Sequence, residues 1–148
     1  MFQPTPAMGL LMTLPGVGFI LAVVIALELG DIRRFQDAER LASYAGTTPR
    51  VRASGGKTRY GSLRPDVNRY LKWAYVEAAT VTNLMRHRFP RRHVTRLYAR
   101  LARSKGHAKA IGAVARHLAE ATYWMLTRQE AYREPIVRRP RRPVLQRG

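Results

Sequence analysis

Apolar residues recur with a helical period along most of the chain, and the places where that rhythm breaks mark the turns. Phe19–Leu29 is apolar on almost every side, which predicts a buried helix closed by Gly30. Asp37 is placed to cap a short helix, Ala38–Tyr44, with Leu41 and Tyr44 inward and Gly46 at its end. Pro65 fits the first position of a helix running to about Arg86, with Val67, Leu71, Ala74, Ala78, Val81 and Met85 as its core stripe. Trp73 and Tyr75 sit in that apolar stretch and are expected to pack in the core rather than to stack on bases. Pro90 opens a helix to Lys105, with Val94, Leu97, Tyr98 and Leu101 inward. His107–Arg128 forms a final helix on a stripe of Ile111, Val114, Leu118, Ala121 and Met125.

The period is absent from residues 47–61. There Arg50–Ser54 and Lys57–Tyr60 flank Gly55-Gly56, the signature of a hairpin. Residues 1–12 read as an irregular start, and residues 134–148 as a disordered Pro/Arg-rich basic tail. The expected fold is therefore mainly α: a compact bundle of about five helices over residues 13–133, with a short hairpin-like loop.

Charge adds a partner to this picture. Lys and Arg total 27 against nine acids, a net of +18. Met1–Gly30 carries only Glu28, so the remainder holds 27 − 8 = +19. Such a field attracts a polyanion, and nucleic acid is the first candidate. Between Arg86 and Lys109 stand nine basic residues and no acid. The absence of cysteine excludes disulfides and thiolate metal sites and fits a reducing compartment, here the cytoplasm beside the nucleoid. Met8–Leu27 is uncharged, but Pro15, Gly16 and Gly18 interrupt it, and the helical remainder is shorter than the roughly 20 residues of a span. No membrane role is expected.

Two segments carry candidate chemistry. Leu14–Gly18 reads LPGVG, a tight turn before an apolar helix, where Gly16 and Gly18 leave backbone N–H groups open to a phosphate, as in a helix-hairpin-helix. An ordinary inter-helix turn fits the same five residues. The second segment, Arg50–Lys72, joins Ser54 to seven basic side chains and one acid. Attack of a serine on a phosphodiester needs cations against the charge that builds on the non-bridging oxygens. Arg50, Arg52, Lys57 and Arg59 are candidates for that task, and Gly55 and Gly56 let the backbone approach the strand. Arg64 and Arg69 lie off the core stripe of the following helix and extend the basic surface. No base for Ser54 stands nearby in sequence, and a turn serine fits the same position. His87, His93, His107 and His117 are scattered without metal-ligand spacing and read as surface or backbone-contacting residues.

The runs LPGVGFILAVVIALELGDIRRF, LASYAGTTPRVRASGGKTRYG, NRYLKWAYVEAA and KGHAKAIGAVARHLAE occur in this order. Together they resemble the C-terminal transposase domain of the DEDD-type insertion-sequence transposases, the recombinases guided by a bridge RNA. The resemblance covers about Leu11–Arg133. It implies that Ser54 is a nucleophile that forms a phosphoserine link with DNA, that a structured guide RNA takes part, and that the full-length form is a homo-oligomer. It also implies magnesium, held by an N-terminal RNase H-like domain with Asp-Glu-Asp-Asp carboxylates. Nothing in this sequence matches that domain, so no cofactor is assigned to this chain, and catalysis is expected only when the other half is supplied. The expected function is DNA binding and recombination as the C-terminal part of a transposase. The alternative is a non-catalytic basic nucleic-acid-binding remnant in which Ser54 is structural.

Overall fold

Six α-helices, one 3-10 turn and one β-ribbon make up the described part of the chain. The structure, a computed structural model, describes residues 5–48, 51–54, 57–60 and 67–136. In order these are α1 (Pro6–Leu11), α2 (Phe19–Leu29), the 3-10 turn Ile32–Arg34, α3 (Ala38–Tyr44), β1 (Val51–Ser54), β2 (Lys57–Tyr60), α4 (Arg69–Leu84), α5 (His93–Lys105) and α6 (His107–Arg128). The mainly helical class agrees with the sequence reading, with one helix more than expected.

The core is built on α6, whose 22 residues span about 33 Å. Ala110, Ile111, Val114, Ala115, Leu118, Ala119, Thr122, Met125 and Leu126 form its buried face. The alanines in that series let neighbouring backbones come close. Helices α3, α4 and α5 pack on α6, and α5 turns into it through Gly106 at φ 91°. From α4 come Leu71, Ala74, Tyr75, Ala78, Ala79 and Thr82. The fully buried Tyr75 hydroxyl donates to Thr122 Oγ1 at 3.0 Å, and the Thr122 hydroxyl in turn donates to the Leu118 carbonyl at 2.8 Å. Every polar atom in this chain of bonds is satisfied, as a dry interior requires. Burial pushes the Tyr75 phenol well above its usual pKa.

Four expectations need correction. Residues 1–12 are not wholly irregular: Thr5 caps a helix with Pro6 in its first turn, and α1 buries Met8 and Leu11. Helix α2 is buried along one face only. Leu21, Ala22, Ile25 and Leu29 face the core, whereas Ile20 and Leu27 are 72% and 69% exposed. The fourth helix starts at Arg69 with Asn68 as its cap, not at Pro65, which lies outside the described residues. The fifth starts at His93, not at Pro90, because Glu134 Oε2 accepts the His93 backbone N–H at 2.9 Å. That acceptor lies 41 residues away in sequence. The tail expected over 134–148 is outside the described residues from 137 on.

Among the described residues no helix is long and apolar enough to cross a membrane.

Candidate nucleic-acid interface

Between α3 and α4 the chain makes an excursion whose two ends are fastened together. Gly46, at φ 68°, leaves α3 against Val67: a Cβ on Gly46 would lie 2.7 Å from Val67 Cγ1. Glycine is needed there both for the left-handed turn and for the close approach. The Thr47 N–H and hydroxyl both donate to the Ala42 carbonyl, at 3.0 and 2.8 Å, which folds the outgoing strand back on α3. The Ser43 and Thr48 hydroxyls meet at 3.0 Å.

The returning end is held by Asn68. Its Oδ1 accepts the Leu71 N–H at 3.0 Å and so caps α4. Its Nδ2 donates to Glu28 Oε2 at 2.7 Å and to the Tyr44 hydroxyl at 3.2 Å, and its backbone N–H donates to the Tyr44 carbonyl at 2.8 Å. One residue thus joins the ends of α2 and α3 to the beginning of α4. The hydrogen bond from Asn68, and after it that of Arg34, lowers the Tyr44 phenol below its ordinary pKa despite some burial. The Arg34 guanidinium carbon sits 4.9 Å from the ring centres of both Phe35 and Tyr44.

Within the excursion, β1 and β2 pair antiparallel with Val51 opposite Tyr60, Arg52 opposite Arg59, Ala53 opposite Thr58 and Ser54 opposite Lys57. Ser54 is the last residue of β1, at the end of the ribbon. By the two-residue period of a strand, positions 52, 54, 57 and 59 fall on one face. That face joins the serine to three basic residues and sets two arginine positions directly across from one another. Arg50, Gly55, Gly56 and Arg64 lie outside the described residues.

On the first turn of α4, Arg69 is exposed and no acid accompanies it. Tyr70 and Trp73 are 67% and 51% exposed. Trp73 was expected in the core, but the stripe runs through Leu71, Ala74, Tyr75 and Ala78 and leaves Trp73 on the opposite side. Helix α5 presents Arg96, Arg100 and Arg103 at i, i+4 and i+7, all exposed, and contains no carboxylate. Among the described residues the salt bridges involve Arg33, Arg40, Arg116 and Arg133, and none belongs to α5.

The LPGVG turn joins α1 to α2. Leu14 and Val17 are buried, and Gly16 at φ 78° lies against α4, where a Cβ would stand 2.2 Å from the Ala78 carbonyl oxygen. Gly16 is thereby fixed by packing. Gly18 is exposed, has open space beside its Cα, and starts α2 without a side-chain cap. A cleft of about 310 Å³ lies between this turn and the end of α4, lined by Met12, Gly16, Gly18, Met85, Phe89 and Arg92 among others. The Arg92 guanidinium rests 3.7 Å above the Phe89 ring.

The histidines are more structural than expected. His117 Nε2 meets the Tyr132 hydroxyl at 3.0 Å, and its ring lies 4.6 Å from that of His93. Burial first, and then the neighbouring His93, pulls the His117 pKa down to about 4. His107 Nδ1 meets the Tyr98 hydroxyl at 2.7 Å. Among the described residues no group of three His, Asp or Glu side chains could hold a metal ion. The magnesium implied by the resemblance has no fitting site among them.

Comparison with known proteins gives these features a family setting. A family model described as the Transposase IS116/IS110/IS902 family matches residues 8–95, a stretch that holds the LPGVG turn, the ribbon, α4 and the beginning of α5. The transposase for insertion sequence element IS1111A of Coxiella burnetii is 30% identical over 122 residues, 82% of this chain and 33% of that protein. The mini-circle putative transposase for IS117 of Streptomyces coelicolor is 41% identical over 71 residues, 45% of this chain and 17% of that protein. The putative transposase y4pF/y4sB of Sinorhizobium fredii is 30% identical over 122 residues, covering 82% of this chain and 31% of that protein. The chain thus spans a third or less of the length of these relatives.

Proposed function

The chain belongs to the Transposase IS116/IS110/IS902 family, and from that premise we propose that it is a DNA-binding recombinase module in which Ser54 attacks a DNA phosphodiester. In this reading an Oγ–P bond forms as the P–O bond to one strand end breaks, and the proton lost from the Ser54 hydroxyl ends on the departing oxygen. The phosphoserine keeps the bond energy for rejoining, which suits strand exchange. Charge on the non-bridging oxygens is met by Arg52, Lys57 and Arg59. Magnesium and the carboxylates that hold it belong, in this reading, to an RNase H-like domain supplied from outside these residues. A structured guide RNA and further copies of the full-length protein complete the assembly. The LPGVG turn serves as a second backbone contact of the helix-hairpin-helix kind.

One observation carries the reading: the ribbon register that groups position 54 with positions 52, 57 and 59. A face with two arginine positions across from each other is built to be neutralised by phosphate. The test supplies an RNase H-like half from a longer relative in trans, with its guide RNA and labelled target DNA. A covalent protein–DNA species is expected with the natural chain and absent with Ser54→Ala, while DNA binding stays nearly intact. Adducts that persist in Ser54→Ala would place the nucleophile elsewhere. Binding without any adduct in the natural chain would leave the non-catalytic reading.

A further inference from the structure

The first two turns of α4 carry two large aromatic side chains that the fold does not use. Tyr70 and Trp73 stand at i and i+3, on one side of the helix, and both are more than half exposed. Arg69 stands at i and i+4 with Trp73 and is exposed as well. Among the described residues neither ring stacks on another ring, meets a cation or makes a hydrogen bond. The chain's other tryptophan differs: Trp124 has Arg128 4.7 Å from its ring centre and the Tyr123 ring at 5.1 Å. The platform is also rigid, because the Asn68 cap fixes the start of α4 to α2 and α3.

We propose that Tyr70 and Trp73 form a stacking platform for unpaired bases of a nucleic-acid strand whose backbone is held by the adjacent basic residues. The inference rests on the nucleic-acid reading given above and adds the state of the ligand. An exposed ring offers its π face to any base, whatever the sequence, but only to a base out of its own stack. Arg69 supplies a cation for the neighbouring phosphate, and the first turn holds no acid to oppose it. Charge decides between a strand and an apolar protein partner: the rings sit beside an arginine on a chain of net charge +18. Glu77, one turn beyond Trp73 and exposed, bounds the platform on the far side.

The test uses the full chain with Trp124→Phe, so that Trp73 alone reports by fluorescence. Titration with an oligothymidylate should quench it, and a duplex of equal length should quench it far less. Trp73→Ala, which lacks the reporter ring and is read by the anisotropy of a labelled strand, should weaken oligothymidylate binding roughly ten- to a hundredfold while changing duplex binding less than about threefold. Trp73→Phe should restore most of the loss, which a purely structural role would not predict. If both nucleic acids bind but Trp73 is not quenched and Trp73→Ala binds the single strand normally, the platform is wrong and the nucleic-acid reading stands. If neither binds at low salt, both are wrong. Blue-shifting emission with rising protein concentration, without quenching, would show the rings covered by a second copy and overturn the proposal.

Discussion

The Asn68 side-chain amide reaches Glu28 Oε2 at 2.7 Å, and Glu28 is the only charged residue in the first 30. The pair bridges 40 residues of sequence and fixes where the chain returns from the ribbon that bears Ser54. The same Asn68 side chain caps α4 and supports the Tyr44 hydroxyl, so its loss is felt in three elements.

Asn68→Ala should therefore destabilise the fold by about 1–2 kcal/mol, the worth of a cap plus a hydrogen bond to a charged group. Asn68→Asp keeps an acceptor for the Leu71 N–H but sets a carboxylate against Glu28. It should be less stable than the natural chain at neutral pH and recover part of the difference in acid. Urea midpoints of the three proteins at two pH values measure this. Equal midpoints would mean that the Glu28–Asn68 contact contributes nothing.

Gly16→Ala places a methyl in a left-handed conformation and 2.2 Å from the Ala78 carbonyl oxygen. A loss of about 2–5 kcal/mol is expected from backbone strain and overpacking. Gly9 is the control: it lies within α1 with nothing within 4 Å of a Cβ, and Gly9→Ala should gain up to about 1 kcal/mol. Thermal melts of both variants would expose an error in either assignment.

His117 is held neutral in the fold, with its pKa pulled from 6.5 down to about 4 by burial and by His93. The unfolded chain takes up that proton first as pH falls below 6.5. Stability is thus fully present above pH 6.5 and declines as pH falls toward 4, by roughly 3 kcal/mol at most from this residue. Chemical denaturation across that range should show the decline. His117→Gln should show a shallower one; an unchanged slope would shift the effect to other groups.

The arginines of α5 make a separate prediction about salt. If Arg96, Arg100 and Arg103 meet phosphates, replacing all three by Gln should flatten the log K against log salt line by about 2–3. A variant that loses affinity without losing slope would argue against direct phosphate contact.

Much of this architecture is legible from residue order, and the exceptions have physical causes. Helices 19–29, 38–44 and 107–128 keep their predicted bounds because local signals close them: Gly18 and Gly30, Asp37, and Gly106. The start of α5 is not local. Its acceptor is Glu134, brought in by the segment after α6, and no window of sequence contains both. Trp73 was hidden by composition, since its neighbours are apolar; the 3.6-residue period carries it opposite Leu71 and Ala78 and away from the core. The hairpin was legible from Gly55-Gly56, and its pairing supplies what the sequence lacked, the grouping of positions 52, 54, 57 and 59. His117 shows no warning in sequence because its partners, His93 and Tyr132, come from separate parts of the chain.

The clasp between Gly46 and Val67 makes the segment between them a cassette. Once its ends are joined, each doubling in length costs only about 0.6 kcal/mol, so insertions there leave the helical scaffold nearly untouched. An arm on such a base can be lengthened or transplanted without redesigning the body that carries it.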